Sequence, residues 1–182
     1  MKVIETGLEG LLIIEPKVFE DPRGYFFESY NQISFNEAGI DFVPVQDNES
    51  SSTKGVIRGL HYQLQPKAQA KLIRVLKGSI LDVAVDLRPD SSTFGKGFGV
   101  EIDSFSKQQL FIPRGFAHGF SVLSDYALIL YKCDNLYSPE HERGILYNDP
   151  YLNINWKVTP GSEIISRKDL TNPVFTKAEM NF

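Results

Sequence analysis

Cysteine is almost missing from this chain of 182 residues, with Cys133 the single example. One thiol closes no internal disulfide and builds no multi-cysteine metal site, so the fold must rest on its own core. The same scarcity points to the reducing cytoplasm as the default compartment. An excess of one charge is also lacking. Nineteen Lys and Arg against 23 Asp and Glu leave a net charge of −4. That balance argues against a nucleic-acid binder, although a local cationic pocket for an anionic small molecule remains compatible with it. Hydrophobic runs are short: Leu11–Ile14 ends at Glu15, far below the roughly 18 apolar residues of a membrane helix. The opening Met1-Lys2-Val3-Ile4-Glu5 has no apolar region or small-residue cleavage site, so no signal peptide is expected. Repeats, low-complexity tracts and linkers are missing too, and the length fits one domain, 1–182.

What is present is β-forming. Runs rich in Val, Ile, Leu, Phe and Tyr occur at 10–14, 24–30, 42–51, 56–64, 71–76, 79–87, 97–102, 108–112, 117–123 and 127–133. Turn formers separate them, among them Asp21-Pro22-Arg23-Gly24, Lys77-Gly78 and Pro113-Arg114-Gly115. Many short strands at regular spacing predict a sandwich or barrel. Helical signal is sparse: Ser34-Phe35-Asn36-Glu37 reads as a capping box that Gly39 would stop quickly. From about Ser138 the periodicity weakens, and an irregular C-terminal wrap is expected.

The candidate chemistry starts with three histidines, His61, His118 and His141. Strand alternation would put Arg58, Leu60 and Tyr62 on one face and Gly59, His61 and Gln63 on the other. A lone strand histidine is about as readily a hydrogen-bonded structural residue as a catalytic one, and His141, in a polar stretch, reads as structural. The run Gly55, His61, Gln63, Lys71, Gly78, followed by Pro113, Gly115, His118, resembles the two motifs of the cupin superfamily. Metal-binding cupins place His, His and Glu in the first motif and His in the second. Here Gln63 and Lys71 stand at two of those places, and a lysine ammonium is no metal ligand. The resemblance implies an all-β, cupin-type jelly-roll barrel with a few short helices and no metal or other cofactor. A His, Lys and Tyr pocket suits acid–base chemistry on a carbonyl compound.

Longer segments make the resemblance specific. Val56–Gln63, Gln69–Val75, Gly78–Arg88, Phe111–Phe120 and Tyr137–Ile145, with Phe19–Gly24 and Ser166–Asp169, are similar to the dTDP-4-dehydrorhamnose 3,5-epimerase family in order and spacing along nearly the whole chain. That family inverts C3 and C5 beside the C4 ketone of a dTDP-linked 4-keto-6-deoxy sugar. The resemblance implies His61 as the base that removes the α-proton and Asp169 as the carboxylate that orients it. Lys71 would stabilise the oxyanion, and Tyr131 would be the acid that delivers a proton to the opposite face. Taken alone, Tyr131 reads as a packing residue, Asp169 as a turn residue and Lys71 as a solvated strand position; only the family resemblance lifts them. It implies substrate contacts from Arg23, Glu28, Gln46, Asn48, Arg58, His118, Glu142 and Arg167, with Tyr137 stacking on thymine. The register of Arg167 against Lys168 as the basic contact is open. A homodimer is implied, with Arg23 and Glu28 as candidates for reaching a partner's site.

Three other readings compete: an epimerase of the same fold that inverts only C3 or only C5, a metal-dependent cupin oxygenase or isomerase, and a non-catalytic sugar-binding cupin. Gln63 and Lys71 count against the second, and the complete His61, Lys71, Tyr131 and Asp169 set counts against the third. Base catalysis by neutral His61 predicts a rate that falls in acid.

Overall fold

The computed structural model describes residues 1–182. Thirteen strands form in chain order: β1 (Lys2–Glu5), β2 (Leu12–Glu15), β3 (Phe19–Asp21), β4 (Gly24–Phe26), β5 (Gln46–Thr53), β6 (Ile57–Gln63), β7 (Lys71–Lys77), β8 (Ser79–Asp86), β9 (Gly97–Asp103), β10 (Gln109–Ile112), β11 (Phe116–Val122), β12 (Tyr126–Cys133) and β13 (Glu142–Gly144). One sheet runs β1-β2-β10-β7-β12-β5 and the other β13-β6-β11-β8-β9, with β3 and β4 as a separate hairpin. All pairings within the sheets are antiparallel. Two facing antiparallel sheets give the all-β barrel expected. No helix is long and apolar enough to cross a membrane.

Strand alternation sorts the apolar residues into layers. On β7, Ile73 and Val75 face inward to a cluster with Ile80, Ala84, Leu110, Phe120 and Ile129 between the sheets. Leu72 points the other way, into a cluster with Ile14, Phe35, Phe42 and Phe111. On β8, Leu81, Val83 and Val85, with Leu87 just beyond the strand, leave the barrel and pack under the C-terminal wrap with Leu60, Trp156 and Phe175. The barrel interior is apolar along much of its length. Towards the other end the inward positions are Lys71, Tyr131, Asn48 and His118, and there the interior becomes a cleft.

Several sequence expectations need correction. The strand expected over 24–30 ends at Phe26, and the one expected from 42 starts at Gln46. Phe42 instead serves the cluster beneath the helix, where its carbonyl accepts a 2.5 Å hydrogen bond from Tyr30 Oη. The helix α1 spans Gln32–Glu37, and its N-cap is Asn31, whose side chain accepts from the amides of Ile33 and Ser34. Ser34 is therefore inside the helix rather than capping it, because the Asn31 side-chain oxygen already takes the first free amides. Gly39 does end the segment, at φ +78°. Strands β1, β3 and β13 carried no clear period in the sequence and were not expected.

Candidate active site

The wall carrying His61 is shaped by a β-bulge. His118 pairs with His61 and Phe120 with Arg58, so β11 advances two residues while β6 advances three. The extra residue cancels strict alternation, and Arg58 comes to line the same cleft as His61. The expected separation of Arg58 from His61 is thus overturned, while Leu60 and Tyr62 do turn away into the core. Glycine makes the bulge possible. Gly59 has φ +123°, and a Cβ there would lie 2.6 Å from Gly119 Cα and 2.8 Å from the His118 carbonyl.

The C-terminal wrap supplies the other half of a dyad. Ile164 pairs with the start of β6 through Ile57 N–H to Ile164 O at 3.0 Å and Ile164 N–H to Gly55 O at 2.9 Å. The chain then turns into a short 3₁₀ segment, Asp169–Thr171. His61 Nε2 donates to Asp169 Oδ1 at 2.6 Å, and the Gly59 amide donates to Oδ2 at 3.3 Å. Burial pushes the Asp169 carboxyl up. The hydrogen bond and charge of His61, with further donors from Gly59 and Ser166, outweigh it and hold the group below the usual range. Asp169 is therefore ionised and fixes the His61 tautomer, leaving Nδ1 free to act as a base.

A cleft of about 470 Å³ brings Arg58, His61, Lys71, His118, Tyr131 and Asp169 together. A neighbouring recess of about 210 Å³ shares His61, Lys71 and Tyr131 and adds Gln46, Asn48, Tyr137 and Glu142. His61 comes from the five-stranded sheet and Tyr131 and Lys71 from the six-stranded one, so a molecule in the cleft meets the imidazole on one wall and the phenol on the other. Burial raises the Tyr131 pKa and lowers that of Lys71, the latter opposed by Cys133, Asp82 and Glu142. Tyr131 accordingly keeps its proton at neutral pH and can donate it.

The recess is pre-arranged. Tyr137 is 52% exposed, yet its amide donates to Gln46 Oε1 at 2.8 Å and its hydroxyl to Glu142 Oε2 at 2.7 Å. Gln46 Nε2 donates to Asn48 Oδ1 at 2.9 Å. Buried Gln63, which stands at a metal-ligand position of other cupins, spends its side chain on backbone: Nε2 donates to the Lys67 and Leu136 carbonyls, and Oε1 accepts from the Ser138 amide. It pins the loop that carries Tyr137. No three His, Cys, Asp or Glu side chains gather in an arrangement that could hold a metal ion.

Arg23, Glu28 and Arg167 do not line the cleft or recess. Arg23 sits at the tip of the β3–β4 hairpin, paired with Asp21, and Glu28 accepts from Asn31. The basic residue of the C-terminal wrap that lines the cleft is Lys168, which is paired with Glu142. Sequence reading also missed Asp82. It is fully buried and accepts a 2.6 Å hydrogen bond from His118 Nε2. Its signal was a carboxylate amid the otherwise apolar Ile80–Val85.

Comparison with known proteins agrees with this geometry. The family model for dTDP-4-dehydrorhamnose 3,5-epimerase matches residues 5–177. A dTDP-4-dehydrorhamnose 3,5-epimerase of Shigella flexneri is 53% identical over 98% of both chains. The crystal structure of dTDP-4-dehydrorhamnose 3,5-epimerase from Elizabethkingia anophelis superposes with a TM-score of 0.94 at 51% identity, over 97% of each chain. That of a Legionella pneumophila dTDP-6-deoxy-D-glucose-3,5-epimerase, in complex with dTDP-4-keto-L-rhamnose, gives 0.92 at 46%, covering 97% of this chain and 93% of the other. With the His61–Asp169 dyad, Lys71 and Tyr131 gathered in one cleft, this chain belongs to the dTDP-4-dehydrorhamnose 3,5-epimerase family.

Proposed function

We propose that this enzyme inverts C3 and C5 of dTDP-4-dehydro-6-deoxy-D-glucose to give dTDP-4-dehydro-L-rhamnose. The observation that carries the proposal is the opposition of a carboxylate-held imidazole and a protonated phenol across one cleft. His61 Nδ1 removes the proton next to the C4 ketone, and its imidazolium is stabilised by Asp169. Charge moves onto the C4 oxygen, which the Lys71 ammonium stabilises. Tyr131 returns a proton from the other wall, and the carbon inverts. A base returning its own proton would retain configuration. Rotation of the intermediate's ring within the cleft, or a second pass, brings the other α-carbon to the same pair.

Tyr137 stacks on thymine, and Gln46, Asn48 and Glu142 contact the nucleotide. Arg58 and Lys168 pair with the diphosphate, and His118 hydrogen-bonds the sugar. Lys168 takes the basic role because it lines the cleft and Arg167 does not. The 3,5-epimerase names of the relatives favour two inversions over one.

The working unit is a homodimer in the cytoplasm, each chain one domain. Hairpin residues Phe19, Tyr25 and Phe26 are 53%, 55% and 69% exposed, an apolar surface suited to burial against a second copy. Docked there, the hairpin would carry Arg23 and Glu28 towards the partner's nucleotide. Proton NMR of the enzyme with substrate in deuterated water tests the reaction: deuterium at both C3 and C5 is expected, and exchange at one carbon alone would overturn the double inversion.

A further inference from the structure

The inward face of β5 is a ladder of polar side chains at Gln46, Asn48, Ser50 and Ser52, spaced by strand alternation. Three rungs have partners. Gln46 and Asn48 bond each other, and Ser52 Oγ accepts from Arg58 Nε at 3.1 Å. Ser50 Oγ is buried and has none. Its cross-strand neighbour is Ile129, which offers no polar group. A buried hydroxyl without a partner costs folding free energy, and such groups are rare unless something outside the fold satisfies them. Ser50 lines the large cleft together with His61, Lys71, His118, Tyr131 and Arg58, and is not among the residues of the Tyr137 recess.

We infer that Ser50 is a substrate-binding residue whose hydroxyl hydrogen-bonds an oxygen of the hexosyl diphosphate, not of the nucleoside. The inference rests on the function proposed above. A hydroxyl both donates and accepts, so it serves a phosphate oxygen or a sugar hydroxyl equally. The cleft's composition restricts the choice to the sugar-diphosphate half: the cations Arg58 and Lys168 line the cleft with Ser50 and do not line the recess, where the aromatic platform Tyr137 lies.

The test is calorimetric titration of wild type and Ser50→Ala with dTDP-glucose, dTDP and dTMP, alongside thermal melts. dTDP-glucose has no C4 ketone, so binding is read without turnover. Ser50→Ala is expected to weaken dTDP-glucose about tenfold and to leave dTMP within twofold. A parallel loss for dTDP assigns the contact to the diphosphate, and its absence assigns it to the hexose. The melting temperature should hold or rise, because the substitution removes an unsatisfied group. Unchanged dTDP-glucose affinity, an equal loss for dTMP, or a lowered melting temperature without a binding change would each overturn the role of Ser50 alone. A wild-type protein that binds no dTDP-glucose would instead remove the functional reading beneath it.

Discussion

Two histidine–carboxylate pairs of equal length sit in this barrel, and their surroundings separate their roles. His61 Nε2 meets Asp169 at the cleft wall, with 31% of the imidazole exposed. His118 Nε2 meets Asp82 behind the same cleft, with 8% exposed. Both distances are 2.6 Å. Asp169 arrives from an irregular segment 108 positions away and is held by the Gly59 amide and Ser166. Asp82 is a rung of β8, between β11 and β9, and has one oxygen without a partner. Burial pushes His118 down, against the charge of Asp82, with Lys71 and His61 also disfavouring its proton. The partly open His61 ring can exchange protons with a ligand, whereas the buried His118 ring is held neutral and serves as a fixed hydrogen-bonding wall. In the proposed mechanism, accessibility, more than hydrogen-bond length, distinguishes the base from the support.

The most severe break in that comparison is His61→Ala. It should lower kcat by on the order of 10³-fold and leave dTDP-glucose affinity within about threefold, as measured by turnover and calorimetry. An active variant would refute the base assignment. Asp169→Asn follows, with an expected loss on the order of 10²-fold or more because an amide no longer fixes the useful tautomer. Its loss should fall on kcat rather than on KM.

Asp82→Asn should act differently. Removing the hydrogen-bonded carboxyl partner of a buried imidazole costs stability, about 1–3 kcal/mol in a denaturant titration, with a kcat loss well below that of Asp169→Asn. If the two asparagine variants lost activity equally and stability equally, the distinction drawn from exposure would fail.

Much of this site was legible in the sequence, and the illegible parts share a cause. The long strands announced themselves because one face of each is buried, as with Ile73 and Val75 against Leu72. Short β3 lies exposed throughout and β13 is only three residues long, so neither carried a pattern. The joint lining by Arg58 and His61 depends on one inserted residue at Gly59, which alternation cannot foresee. Pairing of His61 with Asp169 spans the chain and came from family resemblance. Asp82 was readable as a charge in an apolar strand, but only the fold names His118 as its partner. Arg23 and Glu28 were placed in the site by resemblance, yet in this chain Arg23 lies at the exposed hairpin tip and Glu28 just beyond the hairpin, neither lining the cleft.

The gentlest probe of the comparison is pH. The folded His118 pKa lies below its ordinary value, so the unfolded chain takes up that proton first as pH falls. Stability from neutral His118 is therefore fully present above about pH 6.5 and declines as pH drops towards the folded value. Asp169 and Asp86 lie on the other side of this window. Their pKa values are lowered, that of Asp86 to about 2 by donors from Arg88, Ser91 and Thr93 that outweigh its burial, so their contributions fade only below about pH 4. Between pH 7.5 and pH 5.5 the melting temperature of wild type should fall, and His118→Asn should flatten that slope even though it is less stable at pH 7.5. The two melting curves should converge towards pH 5.5. Parallel slopes would mean that the buried imidazole does not resist protonation, and that the two dyads differ less than their exposures imply.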